Sequence, residues 1–140
     1  MHKLLTIATF CFILILCFQS LNAETTSSKV KIGAHPGKAV YDTYCLTCHQ
    51  ADAYGVPGLN PPLVKTEWVL GDKTRLIHVV LKGLNTPINI NGQTYRNPMP
   101  AHAFLTDVEI ANVLTYIRSN FGNKASAVTA EEVKMVRAAK

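Results

Sequence analysis

Two thiols and an imidazole fall within five residues, Cys45-Leu46-Thr47-Cys48-His49. A thiol can add across a vinyl group to give a thioether. Two thiols at this spacing serve two vinyl groups of one macrocycle, and the histidine that follows at once can offer a ring nitrogen to the metal. This is the spacing of covalent haem attachment, with the imidazole on one axial face of the iron. Other uses of the pair fit less well. A structural zinc site wants four ligands, commonly with a second cysteine pair, and the remaining cysteines, Cys11 and Cys17, sit in an apolar N-terminal run. A thioredoxin-like pair expects a βαβ setting, whereas the flanks here read as helix and loop. A disulfide between Cys45 and Cys48 would close a tiny loop and leave His49 without a purpose.

The second axial position decides the chemistry, because a filled site passes electrons and an open one takes a ligand. The candidates are His35, His78, His102, Met99 and Met135. Met99 stands between two prolines in Asn97-Pro98-Met99-Pro100. Proline fixes φ and stiffens the backbone, which suits a loop that must hold a thioether at a set distance from a metal. The ordinary role of a methionine is to fill a gap in a core, and that is the expectation for Met135. His102, three residues beyond Met99, is the main competitor. His35 precedes the first helix and is expected in solvent; His78, within the second, is expected to pack or face the surface.

These groups need a scaffold, and 140 residues supply one domain with a limited core. The N-terminus reads separately. Lys3 precedes an uncharged, mostly apolar run from Leu4 to Phe18, and the small Ala23 follows. That is the layout of a secretory signal peptide over residues 1–23, with an uncleaved anchor as the rival. Cys17 follows a leucine, which argues against a lipoprotein. Export agrees with haem attachment, since both place the chain outside the cytoplasm, in the periplasm. Residues 24–32 are small and polar, a linker. Beyond Ala23 the chain carries 13 basic and 9 acidic side chains, a balance of +4. That suits docking to an acidic protein surface and is too weak and scattered for nucleic acid.

A helix is predicted from Pro36, at its first turn, to about Cys48. The Gly- and Pro-rich stretch 55–62 is loop. A second helix is predicted from near Asp72 to a stop at Gly83, with Leu76, Val79, Val80 and Leu81 as its apolar side. Ile88 to Tyr95 alternates around Asn91-Gly92, a small hairpin. Thr106 and Glu109 form a capping box, and Ile110, Val113, Leu114 and Ile117 give the following helix a buried stripe. A second box, Thr129 and Glu132, opens a tail helix whose Val133 and Val136 can dock on the body.

Gly37-Lys38-Ala39-Val40-Tyr41 before the haem run, then Asn60-Pro61-Pro62-Leu63, then Met99-Pro100, then Tyr116-Ile117-Arg118 together resemble a class I c-type cytochrome over residues 33–122, with 123–140 as a tail. The resemblance implies an all-α fold, with a small hairpin or loop insertion, that wraps one covalently attached haem c. It implies thioethers at Cys45 and Cys48 and iron ligation by His49 and Met99. It also implies that the first helix crosses the last near Tyr116, and that a carbonyl of Pro61 or Pro62 accepts from His49. Leu63, Trp68, Ile88, Tyr95, Phe104 and Leu114 are the expected pocket walls. One departure is Asp52-Ala53-Tyr54-Gly55, where the family often has Asp-Gly; Tyr54 is expected near a propionate or the exposed edge. The implied function is one-electron transfer between redox partners, with Lys38, Lys65 and Lys82 as candidates for steering. The alternatives are a haem subunit of a dehydrogenase or oxidase complex and, in another class, a gas-binding or peroxidatic protein.

Overall fold

The computed structural model describes residues 35–139; the leader and linker expected over 1–32 lie outside them. Helix α1 (Pro36–Tyr44) opens with proline at its first turn, capped by His35, whose Nδ1 accepts from the Gly37 amide at 3.1 Å. His35 is therefore no free surface histidine, as the sequence reading had it. It is partly buried and its ring lies 5.6 Å from that of Tyr116. The predicted first helix is also broken in two. At Cys45 φ widens to −111°, the Cys48 amide turns to the Cys45 carbonyl, and α2 (Leu46–His49) resumes for one turn.

The loop that follows contains an element the sequence reading missed, α3 (Glu67–Leu70), N-capped by Thr66. Helix α4 (Lys73–Lys82) is capped by Asp72, whose side chain accepts from Arg75, and ends at Gly83 with φ +73°. Strands β1 (Ile88–Ile90) and β2 (Gln93–Tyr95) pair antiparallel in the register Ile88 to Tyr95, Asn89 to Thr94 and Ile90 to Gln93. Asn91 and Gly92 both take positive φ, as a two-residue hairpin turn with the strands' own twist requires.

Helix α5 (Asp107–Ser119) starts with both bonds of its capping box formed and buries Ile110, Val113, Leu114 and Ile117. It packs chiefly against α1 and α6. Gly37 permits the α1 crossing, because a Cβ there would lie 2.0 Å from the Asn112 carbonyl oxygen and 2.7 Å from the Tyr116 Cβ. Tyr41 is buried in the same crossing, donates to the Gln50 carbonyl at 2.7 Å, and packs with tilted rings against Tyr116 and Phe121.

The tail runs back over the body. Thr115 Oγ1 exchanges hydrogen bonds with the Val128 backbone, and α6 (Ala130–Ala138) begins with a second complete capping box. Val133 and Val136 are buried, but Met135, expected in the core, is 58% exposed. The valines, three residues apart, share the docked face; Met135 stands at its edge, on a groove against α4. Arg137 completes the attachment with its Nε on Asp107 and its two terminal nitrogens on the Ala103 and Leu105 carbonyls. Among the described residues no helix is long and apolar enough to cross a membrane.

Candidate functional site

Every element but the tail helix contributes wall to one open cavity. Cys45, Cys48 and His49 lie along it, with Pro61, Pro62 and Leu63 from the loop and Thr66, Trp68 and Val69 from the start of α3. Leu76, Val79 and Val80 come from α4; Ile88, Ile90 and Tyr95 from the hairpin; Val113, Leu114 and Ile117 from α5. The wall is overwhelmingly apolar. Its few sulfur and nitrogen atoms are therefore its chemistry.

Cys45 is partly buried and Cys48 exposed, and no disulfide joins them. Burial, with a smaller effect from Cys48, pushes the Cys45 thiol up to about 11. His49 is 9% exposed and donates from Nδ1 to the Pro61 carbonyl at 2.9 Å. A carbonyl only accepts, so Nδ1 carries the proton and Nε2 keeps its lone pair. Burial holds the imidazole below its ordinary pKa, and His102 adds to that, while the Pro61 bond opposes it. The neutral, metal-binding tautomer is thus the one favoured here.

Met99 reaches the cavity from a loop held on two sides. Its amide donates to the Leu84 carbonyl at 2.8 Å, and its carbonyl accepts from the Leu84 amide at 3.0 Å. Gly83 makes this approach possible, since a Cβ there would lie 2.3 Å from the Met99 carbonyl oxygen. Asn97 ties the same loop to the proline turn, through its amide to the Leu59 carbonyl and its side chain to Asn60.

Of the five candidates for a second ligand, Met99 and His102 line the cavity; His78 and Met135 line a separate groove between α4 and α6, and His35 caps α1. His102 has a buried Nδ1 without a hydrogen-bond partner. Pro61, Pro62, Leu63, Trp68, Ile88, Tyr95 and Leu114 all line the wall, with the Arg75 guanidinium 4.8 Å above the Trp68 ring. Phe104 does not. It is 65% exposed and packs edge-on against Tyr44 at the cavity mouth, while its neighbour Leu105 takes the buried position. Tyr54 is likewise outside the wall and 63% exposed. Lys38 is engaged by Asp42 at 2.5 Å.

Residues 34–121 match the cytochrome c family, and the chain belongs to it. It is 38% identical over 113 residues to cytochrome c-552 of Thermus thermophilus, covering 74% of this chain and 86% of that one. It is 36% identical over 105 residues to the cytochrome c subunit of gluconate 2-dehydrogenase from Pantoea cypripedii, covering 72% of this chain and 24% of that subunit. Cytochrome c-555 of Chlorobaculum tepidum is 31% identical over 90 residues, 60% of this chain and 73% of its own. The protein is a class I mono-haem c-type cytochrome, an electron carrier with covalently bound haem c that works with redox partners. The cavity fits that group: two thiols, the His49 imidazole with a free lone pair, a second imidazole at His102 and the Met99 thioether stand in a mostly apolar enclosure.

Proposed function

We propose that Cys45 and Cys48 form the thioethers, that His49 and Met99 are the two axial ligands, and that the chain is an exported, freely diffusing one-electron shuttle. The haem supplies a one-electron couple at its iron. The protein's part is to hold that couple with little rearrangement. Pro61 fixes the His49 ring; Leu84 and Gly83 fix the Met99 backbone; the apolar wall excludes water. A thioether is a soft, neutral ligand that favours the reduced state, and a filled coordination sphere leaves no place for substrate.

The carrying observation is the doubly bonded Met99–Leu84 bridge, which presents the Met99 side chain in the same cavity as His49. The test is the near-infrared methionine-to-iron charge-transfer band of the oxidised protein. Met99→Ala abolishes it and lowers the midpoint potential, whereas Met135→Ala changes neither; a band that survives Met99→Ala overturns the ligand assignment.

The likeness to c-552 over most of that protein's length favours the free carrier. The likeness to dehydrogenase cytochrome subunits, each matched over about a quarter of its length, favours a permanent subunit as the second reading. Copurification from the native source separates them: a carrier elutes alone, a subunit with its dehydrogenase. The basic start, apolar run and Ala23 support export to the periplasm, and mature protein beginning at Glu24 is the expected N-terminal sequence.

A further inference from the structure

Arg118, in the last turn of α5, is 3% exposed and is the one buried arginine or lysine among the described residues. Its guanidinium donates to the Val69 carbonyl at 2.5 Å, the Gly71 carbonyl at 3.3 Å, the Ser126 carbonyl at 2.7 Å and Ser126 Oγ at 3.4 Å. All four acceptors are neutral oxygens. None of the ion pairs of the described residues includes Arg118. In direct contact the positive charge thus meets only neutral oxygens, with the Glu132 carboxylate acting on it at longer range; it is costly to place there and weakly screened.

Its location gives the charge a use. Val69, whose carbonyl takes the shortest bond, and Ile117, the preceding residue, both stand in the cavity wall. The charge is thus bonded to one wall residue and adjoins another in sequence, beside the enclosure in which the haem would gain and lose one unit of charge. The oxidised state is the more positive one, so a fixed cation behind the wall disfavours it.

We propose that Arg118 is a positioning charge for electron transfer, one that raises the reduction potential of the bound haem through the Val69 wall. The four oxygens in contact with it keep the cation in place without pairing it, as a directly bound carboxylate would. Unit charges roughly 10 Å apart in an effective dielectric of about 20 shift an equilibrium roughly tenfold. That is the expected change in the ratio of oxidised to reduced protein at a fixed electrode potential. The inference rests on a haem in this cavity and is independent of which side chain is its second axial ligand.

Spectroelectrochemical titration of the holoprotein tests it with two variants. Arg118→Gln removes the charge and keeps two donors; Arg118→Lys keeps a charge that the same carbonyls can bind, but loses the planar fork. Both lower thermal stability if Arg118 also ties α3 to the tail. Only the glutamine variant lowers the potential, and the shift persists from low to high salt because the site is buried. Equal potentials in the two variants, whether both at the parent value or both below it, overturn the proposal. The near-infrared band, unchanged in both, separates this outcome from a lost ligand. Should the glutamine variant fail to fold, Arg118→Met replaces it with the same expectation.

Discussion

Gly37 and Asn112 set how closely the first and fifth helices meet: a Cβ on Gly37 would lie 2.0 Å from the Asn112 carbonyl oxygen. The obstacle is backbone in the middle of a well-capped helix, so it cannot swing aside as a side-chain tip would. The two helices must part or the substitution must bend one of them. Overpacking a core costs roughly 1–3 kcal/mol, occasionally more. Gly37→Ala therefore lowers stability by about 3 kcal/mol, read as a reduced denaturant midpoint at unchanged slope. Ala39→Ser, on the exposed side of the same helix, leaves the midpoint near the parent value.

The cofactor is expected to form the centre of the core. Leu76, Val80, Val113, Leu114 and Ile117 are buried and line the cavity from the fourth and fifth helices, and apolar walls facing an unfilled space lose packing contacts at a cost that grows with the void. A domain has only roughly 5–15 kcal/mol in reserve. Cys45→Ala/Cys48→Ala protein purified without haem is expected to show little helix by far-ultraviolet circular dichroism and no cooperative melt. A native-like spectrum with a sharp melt would contradict the cavity's role as the centre of the core.

Phe104 and Tyr44 stack edge-on at 5.3 Å beside His102 at the cavity mouth, and Phe104 is mostly in solvent. An aromatic face there buys the fold little. Phe104→Ala is expected to change stability by about 0.5 kcal/mol or less and to leave the midpoint potential alone. Bimolecular electron exchange with a redox partner, followed by stopped flow, slows several-fold, because an exposed apolar contact beside the cavity residues Tyr44 and His102 is lost. An unchanged exchange rate removes this face from the docking surface.

What was legible in the sequence is what is settled within a few residues. The haem run spans five positions, each capping box four, and the Asn91-Gly92 turn two; the signal and its partner are neighbours in the chain. The misread residues are those whose environment comes from far away. Phe104 and Leu105 sit in a segment without helical or strand period, so no periodicity says which faces inward; the structure buries Leu105 and exposes Phe104. Arg118, read alone, is a basic residue suited to a helix C-terminus. Its burial depends on carbonyls 47 and 49 positions earlier and on the returning tail. Short α3 is marked only by Thr66, whose capping role shows once Val69 is seen to donate to it. Residue type alone does not place Met135 in the core; its position around α6 decides, and leaves it exposed.

Acid weakens the fold through the two capping boxes. Glu109 is held below its ordinary value of 4.5 by hydrogen bonds from the Thr106 backbone and side chain. Glu132 is held below 4.5 first by its bond from Lys73 and then by the Thr129 backbone. A carboxylate whose pKa is lower in the folded than in the unfolded chain adds stability above its unfolded value, and that stability is lost as pH falls through the folded value. The melting temperature is therefore flat with respect to these groups from pH 7 to about 5 and declines below about 4.5. Glu132→Gln keeps the capping geometry, because glutamine also reaches back to the N-cap amide, but removes the charge that Lys73 binds. It is expected to lower the melting temperature modestly at pH 7 and to flatten the decline below pH 4.5, so that parent and variant converge near pH 3. Both groups are at the surface, so the difference at pH 7 shrinks in 1 M salt. Calorimetric scans at pH 7, 5, 4 and 3 measure this, and parallel pH profiles for the two proteins would show that acid sensitivity arises elsewhere.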